Sequence, residues 1–297
     1  MNSDAPRLDG AALLWHFDGF IDAGAAGRLV TEHLLGHLDH KVVATFDVDR
    51  LVDYRSRRPT MTFARDHWEN YERLELAVHL MHDAEGEPFF LLTGPEPDHE
   101  WDRFTDSVGS LAEQLGAGLA VGFHGIPLGV PHTRPLGVTA HATRPELISG
   151  DRPLPNQLQV PGSVMGLLEY RFGEEGKDAA GFAVHVPHYL AQAAYPAGAV
   201  RLLEEVTSLT GLSVPDEALR EAAMRTDAEI NRQVEASSEV TEVVRALEEQ
   251  YDAVAEAGTQ PDLLIEDPEN MPTADELGAE FERFLAEQQG PANPQDP

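Results

Sequence analysis

The fold is decided by residues 11–38, AALLWHFDGFIDAGAAGRLVTEHLLGHL. The apolar run in residues 11–18 is typical of a buried β-strand, and the glycine-rich residues 19–27 indicate a tight turn. Residues 28–38 carry apolar side chains at intervals of three and four, which predicts a helix. A strand, a turn and a helix in this order form the repeating unit of α/β proteins.

The same alternation continues along the chain and predicts a layered α/β fold. Further strands are predicted at residues 41–49, 74–83, 87–97, 118–127 and 179–189. Further helices are predicted at residues 99–117, 162–172 and 197–211. Gly211 closes the last of these helices, because glycine is the usual residue just beyond a helix C-terminus.

The composition changes after residue 212. A capping-box pattern, Ser213-x-x-Asp216, predicts the start of a long amphipathic segment that runs to about residue 257. A second such pattern at Thr273 predicts a last short helix. Residues 216–297 hold 22 acidic residues and 5 arginines, so 17 of the 31 net negative charges lie there. We therefore divide the chain into an α/β domain at 1–212, an acidic helical extension at 213–290 and a disordered tail at 291–297.

The overall composition excludes several classes of function. A formal net charge of −31 disfavours binding to nucleic acid and to anionic membranes, because no basic surplus is available for phosphate. The chain has no cysteine, which excludes disulfides, thiolate nucleophiles and cysteine metal sites. No apolar run of membrane-spanning length and no signal peptide is visible, so we expect a cytoplasmic protein. No cofactor is predicted.

The turn after the first strand holds the first candidate residues, Asp22 and Gly24. Its glycine spacing matches neither a dinucleotide-binding nor a P-loop pattern, which favours a tight structural turn over a phosphate site. Asp22 could act as an acid or base together with Asp18, and capping of the following helix is the favoured role.

The second group of candidates lies in residues 87–97, which contain a buried strand. Thr93, Gly94 and Glu96 are predicted just past the end of that strand, where open α/β sheets bind ligands. His188 and Tyr189 end the strand at 179–189 and could face the same cleft. Because Pro187 interrupts the pair His185-x-x-His188 and no HExxH motif occurs, no metal site is predicted.

The third group lies in residues 124–147, HGIPLGVPHTRPLGVTAHATRPEL, which contain His124, His132 and Arg134. The prolines restrict the preceding residues to extended conformations, which predicts a stiff segment rather than a mobile lid. His132 and Arg134 could present a hydrogen-bond donor and a cation to an anion, and a structural ion pair is the favoured role for the arginine.

Several motifs together resemble the PAC2 family, which is named for proteasome assembly chaperone 2. They are GFIDAG, LLTGPEP followed by Trp101, GIPLGVPHTRP, PGSVMGLLEY and HVPHYL, in order from about residue 11 to 212. The resemblance implies a three-layer α/β/α domain similar to the phosphorylase/hydrolase-like fold of purine nucleoside phosphorylases. It also implies self-association, often as trimers. The eukaryotic and archaeal relatives resemble chaperones that help to assemble proteasomes, and this acidic two-part chain is most similar to the bacterial, actinobacterial-type branch. This chain ends in QDP, whereas relatives that dock on proteasome rings end in a hydrophobic-Tyr-any tripeptide.

Two functions remain open at this point. The first is a non-enzymatic, homo-oligomeric assembly or chaperone-type protein, with a trimer favoured and a protein client as a further partner. The second is a small-molecule hydrolase or phosphorylase-like enzyme that uses a cleft at the carboxyl ends of the strands. The enzyme hypothesis requires a common cleft for its candidate residues: Asp22, Glu96, His132, Arg134 and His188.

Overall fold

The computed structural model describes residues 5–148 and 159–257. Its strands are β1 (Ala11–Asp18), β2 (His40–Thr45), β3 (Met61–Ala64), β4 (His67–Tyr71), β5 (Ala77–His82), β6 (Pro88–Pro95), β7 (Ala117–Leu128), β8 (Val138–Ala142) and β9 (Ala179–Pro187). Its helices are α1 (Ala26–His37), α2 (Val48–Leu51), α3 (Trp101–Leu115), α4 (Val164–Glu174), α5 (Pro196–Thr210), α6 (Glu217–Ala236) and α7 (Ser238–Ala257).

Seven strands form one mixed sheet in the order β2-β5-β6-β1-β7-β9-β8. The four central strands, β6, β1, β7 and β9, are parallel, and the outer strands β5 and β8 pair antiparallel with them. Near-continuous apolar sequence in β1 and β6 fits this position, because central parallel strands are covered on both faces. Strands β3 and β4 form a separate two-stranded hairpin.

Helices cover both faces of the sheet. On one face, α1 and α5 pack over an apolar cluster that includes Leu14, Val121 and Val184. On the other face, α3 and α4 contribute to a cluster around Trp15 and Phe104. Alternate residues of β1 therefore enter opposite cores, as the period of a strand requires. The predicted three-layer α/β/α fold is confirmed.

The predicted C-terminal helices are also present. Helix α6 packs on α5, and its Leu219 and Ile230 are buried in the core shared with α1. Helix α7 packs on α6 and buries Val244 and Leu247. The amphipathic pattern identified the buried stripe of both helices.

Some boundaries differ from the predictions. The capping box at Ser213 was wrong: the Ser213 amide donates to Asp83, and α6 begins only at Glu217. The predicted strand at 41–49 ends at Thr45, and residues 48–51 form a helical turn that buries Val48 and Leu51. Sequence analysis missed the β3–β4 hairpin and β8. The helix predicted after Thr273 and the tail at 291–297 lie outside the described residues.

Candidate functional site

The parallel strands place their carboxyl ends along one edge of the sheet, where the first two groups of predicted site residues lie. After β1 the chain forms α1 on one face, and after β6 it forms α3 on the opposite face. Neighbouring strands whose helices diverge in this way leave a crevice, which is the usual ligand site of an open α/β sheet. In this fold the crevice opens between Asp18 and Pro95, which are paired in register.

Arg57 fills this crevice. Its Nη1 donates to the main-chain oxygens of Glu96 at 2.5 Å and Asp18 at 3.2 Å, and its Nη2 donates to the Asp98 carboxylate at 2.8 Å. The guanidinium lies so close to Gly19 that a Cβ there would be 2.8 Å from it. The space that the fold would offer to a ligand is thus occupied by a side chain of the same protein.

The Glu96 carboxylate is directed away from the crevice. It is buried and accepts a hydrogen bond from the amide of Val164 at 2.7 Å, at the start of α4. Burial raises the pKa of this carboxyl, and the Val164 amide and Arg57 oppose the increase. Thr93 and Gly94 lie within β6 rather than beyond it. The hydrogen bond of Glu96 therefore links the end of β6 to the beginning of α4.

Asp22 caps the first helix. Its carboxylate accepts hydrogen bonds from the amides of Gly27 at 2.8 Å, Arg28 at 3.0 Å and Gly125 at 2.9 Å. The amide of Gly24 donates to the main chain of Ala191. The amides at this helix N-terminus are consequently engaged by Asp22 rather than open to an anion.

A buried histidine beside Asp22 was missed by the sequence analysis. His16 is 1% exposed, and its Nδ1 donates to the Phe123 main-chain oxygen at 3.1 Å. Its Nε2 lies 3.6 Å from the nearer Asp22 oxygen and 3.8 Å from that of Asp18, and it has no hydrogen-bond partner among the described residues. The available signal was one polar residue at a core position of an otherwise apolar strand.

The His132 candidate belongs to a different network. The Tyr189 hydroxyl accepts from the His132 amide at 2.9 Å and donates to the ring Nδ1 at 2.7 Å, while Nε2 donates to Asn231 of α6 at 3.1 Å. Burial raises the pKa of Tyr189 to about 12. The neighbouring His188 has a pKa lowered by burial, and its buried Nδ1 has no partner among the described residues.

Arg134 anchors α7. It donates to both oxygens of Asp252 at 2.8 and 2.6 Å and to Glu248 at 3.2 Å. The Asp252 contact raises the pKa of the guanidinium. Tyr251 donates to the main-chain oxygen of Pro135 at 3.0 Å. Residues 124–147, the proline-rich segment, therefore bind helix α7 of the helical extension. The structural ion pair favoured for Arg134 is present.

His124 lies on the face of the sheet that α3 and α4 cover, because the preceding residue Phe123 points into the core under α1 and α5. Burial lowers its pKa to about 4, so the ring is neutral near pH 7. The ten predicted site residues thus divide among separate networks instead of surrounding one open cleft. Within residues 5–148 and 159–257, no group of histidine and carboxylate side chains could hold a metal ion.

The β3–β4 hairpin presents a second kind of candidate surface. Register pairs Met61 with Tyr71 and Phe63 with Trp68, so these four side chains share one face. They are 45–62% exposed, and the rings of Phe63 and Trp68 touch edge to face at a centroid distance of 4.9 Å. Large contiguous apolar surface of this kind is typical of protein contacts.

Comparison with known proteins identifies the family. The model of the PAC2 family matches residues 16–234. The chain belongs to the PAC2 family. The resemblance inferred from its motifs is therefore confirmed. A search of curated proteins finds no match.

Solved structures of other proteins agree with this fold. A Mycobacterium tuberculosis protein of unknown function is 46% identical, covers 97% of this chain and 95% of its own, and superimposes with a TM-score of 0.83. A Corynebacterium glutamicum protein of unknown function is 36% identical, covers 86% and 97%, and has the same TM-score. A proteasome-assembly chaperone homologue of M. tuberculosis is similar in fold, with 22% identity, coverage of 78% and 99%, and a TM-score of 0.72.

None of the helices in the described parts of this PAC2 protein combines the length and the apolar character that a membrane span requires.

Proposed function

We propose that this PAC2 protein is a homo-oligomeric, non-enzymatic assembly factor of the proteasome-assembly-chaperone type, which acts through protein contacts in the cytoplasm. The observation that carries the proposal is the position of Arg57. Three hydrogen-bond acceptors hold its guanidinium in the crevice between β1 and β6, where a small substrate would otherwise bind. Because the crevice is closed to small molecules, the protein acts through contacts of its outer surface with other proteins.

Two further observations support this function. The apolar face of the β3–β4 hairpin is exposed, as expected of a protein that binds other proteins. The fold is shared by a Mycobacterium tuberculosis protein described as a proteasome-assembly chaperone homologue and by an archaeal proteasome activator from Pyrococcus furiosus. A trimer is the favoured oligomer.

The enzyme alternative is less well supported by the contacts. It needs Asp22, Glu96 and His132 to approach one substrate. Asp22 instead binds three main-chain amides, Glu96 binds the start of α4, and His132 binds Tyr189 and Asn231. These contacts hold the three groups against different parts of the protein, whereas an acid and a base must converge on one substrate.

Reconstitution tests the proposal. The full-length protein is mixed with unassembled proteasome α and β subunits from its own cells, and complexes are followed by native mass spectrometry together with the appearance of peptidase activity. We expect a complex of the protein with assembly intermediates and faster formation of the active particle. An unchanged assembly rate, with no such complex at any subunit ratio, would overturn the proposal.

A parallel experiment addresses the enzyme alternative. Wild-type protein and the Arg57→Ala variant are compared for thermal stabilisation by a library of small polar substrates, including phosphorylated and nucleoside compounds. The wild-type protein should show no stabilisation, because Arg57 fills the crevice. Stabilisation and turnover of a library member by the wild-type protein would favour an enzyme.

A further inference from the structure

The two strands of the β3–β4 hairpin contact mainly each other and pack only weakly on the other described elements. An isolated two-stranded hairpin is marginally stable in water, and it gains stability when its apolar face is covered. The four large side chains of this face, Met61, Phe63, Trp68 and Tyr71, belong to one cross-strand cluster. We call this cluster the hairpin face. No described element covers it, and we infer that a second molecule does.

The segment that contains the hairpin carries a small net positive charge, from arginines that lie outside its two strands, in a protein that is strongly negative. Residues 54–73 contain five arginines and three acidic residues, for a net charge of +2 against −31 for the whole chain. Four of these arginines, Arg55, Arg58, Arg65 and Arg73, are exposed. Among the arginines of the described residues, only these four lack a carboxylate within 4.0 Å. The partner of the hairpin face should therefore supply carboxylates.

The helical extension of this same chain has the complementary properties. Helices α6 and α7 together hold 11 acidic residues and 4 arginines, for a net charge of −7. At the corner between them, Glu235, Glu239 and Glu242 are exposed and form no ion pair among the described residues. Val243, one residue after Glu242, is 42% exposed and adds apolar surface. We call these four residues the acidic corner.

We propose that the hairpin face of one protomer docks on the acidic corner of a second copy of this chain. The unpaired arginines around the hairpin then meet the unpaired glutamates of the corner, and the aromatic side chains cover Val243. Pairing of two hairpins is disfavoured, because it would bring like charges together. Repeated contact between two different surfaces is heterologous, and it forms a closed ring, such as the favoured trimer, when the rotation from copy to copy closes. The inference rests on the self-association in the proposed function and assigns the surfaces that mediate it.

The apolar half of the interface is tested with the double variant Phe63→Ser/Trp68→Ser in the full-length chain. Both side chains are exposed, so the fold should be retained, which circular dichroism checks. The matched control is Tyr170→Ser on α4, because Tyr170 is 61% exposed and Trp68 is 62% exposed. By native mass spectrometry and light scattering, we expect the double variant to weaken self-association by at least about tenfold, while the control leaves it unchanged.

The charged half is tested by reversal and complementation. Arg58→Glu/Arg65→Glu should dissociate the oligomer, and addition of Glu239→Arg/Glu242→Arg to the same chain should restore it. Restoration requires the two surfaces to meet, which a general loss of solubility or folding would not produce. The wild-type oligomer should also weaken as salt is raised, because exposed charge pairs are screened.

The remaining outcomes decide against the inference in distinguishable ways. If both hairpin variants stay oligomeric, the hairpin face is not the interface, while the self-association of the proposed function stands. If the wild-type protein is monomeric at all concentrations, both the inference and the homo-oligomeric part of the proposed function fail. If the variants stay oligomeric but no longer bind proteasome subunits, the occupant of the hairpin face is a different protein.

Discussion

Arg57 and Gly19 are in direct contact: a Cβ on residue 19 would lie 2.8 Å from the Arg57 guanidinium carbon. Gly19 also has a φ of +140°, which side-chain-bearing residues rarely adopt. The glycine therefore lets the arginine enter the crevice at the end of β1. Closure of the crevice therefore depends on two residues: Gly19, whose backbone conformation and lack of a side chain leave room, and Arg57, which lies 38 positions later and occupies that room.

Two glycines with the same φ make a matched stability test. Gly94 also has φ +140°, but an added Cβ would meet the Glu75 main-chain oxygen at 2.3 Å. Because backbone cannot move aside as a flexible guanidinium can, we expect Gly94→Ala to cost about 3 kcal/mol and Gly19→Ala about 1 kcal/mol. Urea denaturation measures both. Equal losses would contradict the role assigned to the neighbouring atoms.

Glu96 provides a test of the link between β6 and α4. Glu96→Ala leaves the buried Val164 amide without its acceptor and should lower the free energy of unfolding by about 2 kcal/mol. Glu96→Gln keeps an acceptor oxygen, and its loss should be clearly smaller. If the two substitutions cost the same, the hydrogen bond to Val164 does not contribute as described.

Buried histidines predict a dependence of stability on pH. Burial lowers the pKa of both His185 and His124 from 6.5 to about 4. Between these values the unfolded chain binds more protons than the folded one, so acid favours unfolding. We expect full stability above about pH 6.5 and a loss as pH falls towards 4, with each histidine contributing at most about 1.4 kcal/mol per pH unit.

The His185→Gln variant checks this assignment by urea denaturation at a series of pH values. Its stability should fall less steeply between pH 6.5 and 4 than that of the wild-type protein. His67→Gln is the control, because the His67 side chain is 62% exposed. The same slope in the His185 variant as in the wild-type protein would show that this histidine does not titrate with a lowered pKa.

The ion pairs of Arg134 with Glu248 and Asp252 should stabilise the packing of α7 on the proline-rich segment. Arg134→Ala removes the contacts to Asp252 and Glu248, so amide hydrogen exchange in α7 should become faster while exchange in β1 and β7 stays unchanged. Arg245→Ala is the control, because Arg245 pairs with Glu249 within α7 itself. Unchanged exchange in α7 after loss of Arg134 would show that this arginine does not hold α7 in place.

Much of the fold could be predicted because its signals are local. The strand–turn–helix unit of residues 11–38 and the long strand β7 follow from apolar periodicity over neighbouring residues. The β3–β4 hairpin was missed because its apolar residues are few and exposed, and because charged residues interrupt them. β8 was missed because it has only five residues and lies between two prolines, Pro135 and Pro145.

The candidate site was harder to predict because its contacts are distant in sequence. His132 meets Tyr189 and Asn231, which lie 57 and 99 residues further along the chain. Arg57 reaches Glu96 across 39 residues, and nothing near Arg57 in the sequence indicates that it enters a crevice. Residue type identified groups capable of chemistry, whereas the partner of each group is set by the three-dimensional packing.

The most direct test of the closed crevice is a high-resolution crystal structure of the purified full-length protein, inspected between β1 and β6. We expect the Arg57 guanidinium to donate hydrogen bonds to the main-chain oxygens of Asp18 and Glu96, with no small molecule between it and Gly19. An Arg57 side chain turned out into solvent, with a bound metabolite between Gly19 and Glu96, would contradict the closed crevice and favour an enzyme or a small-molecule receptor.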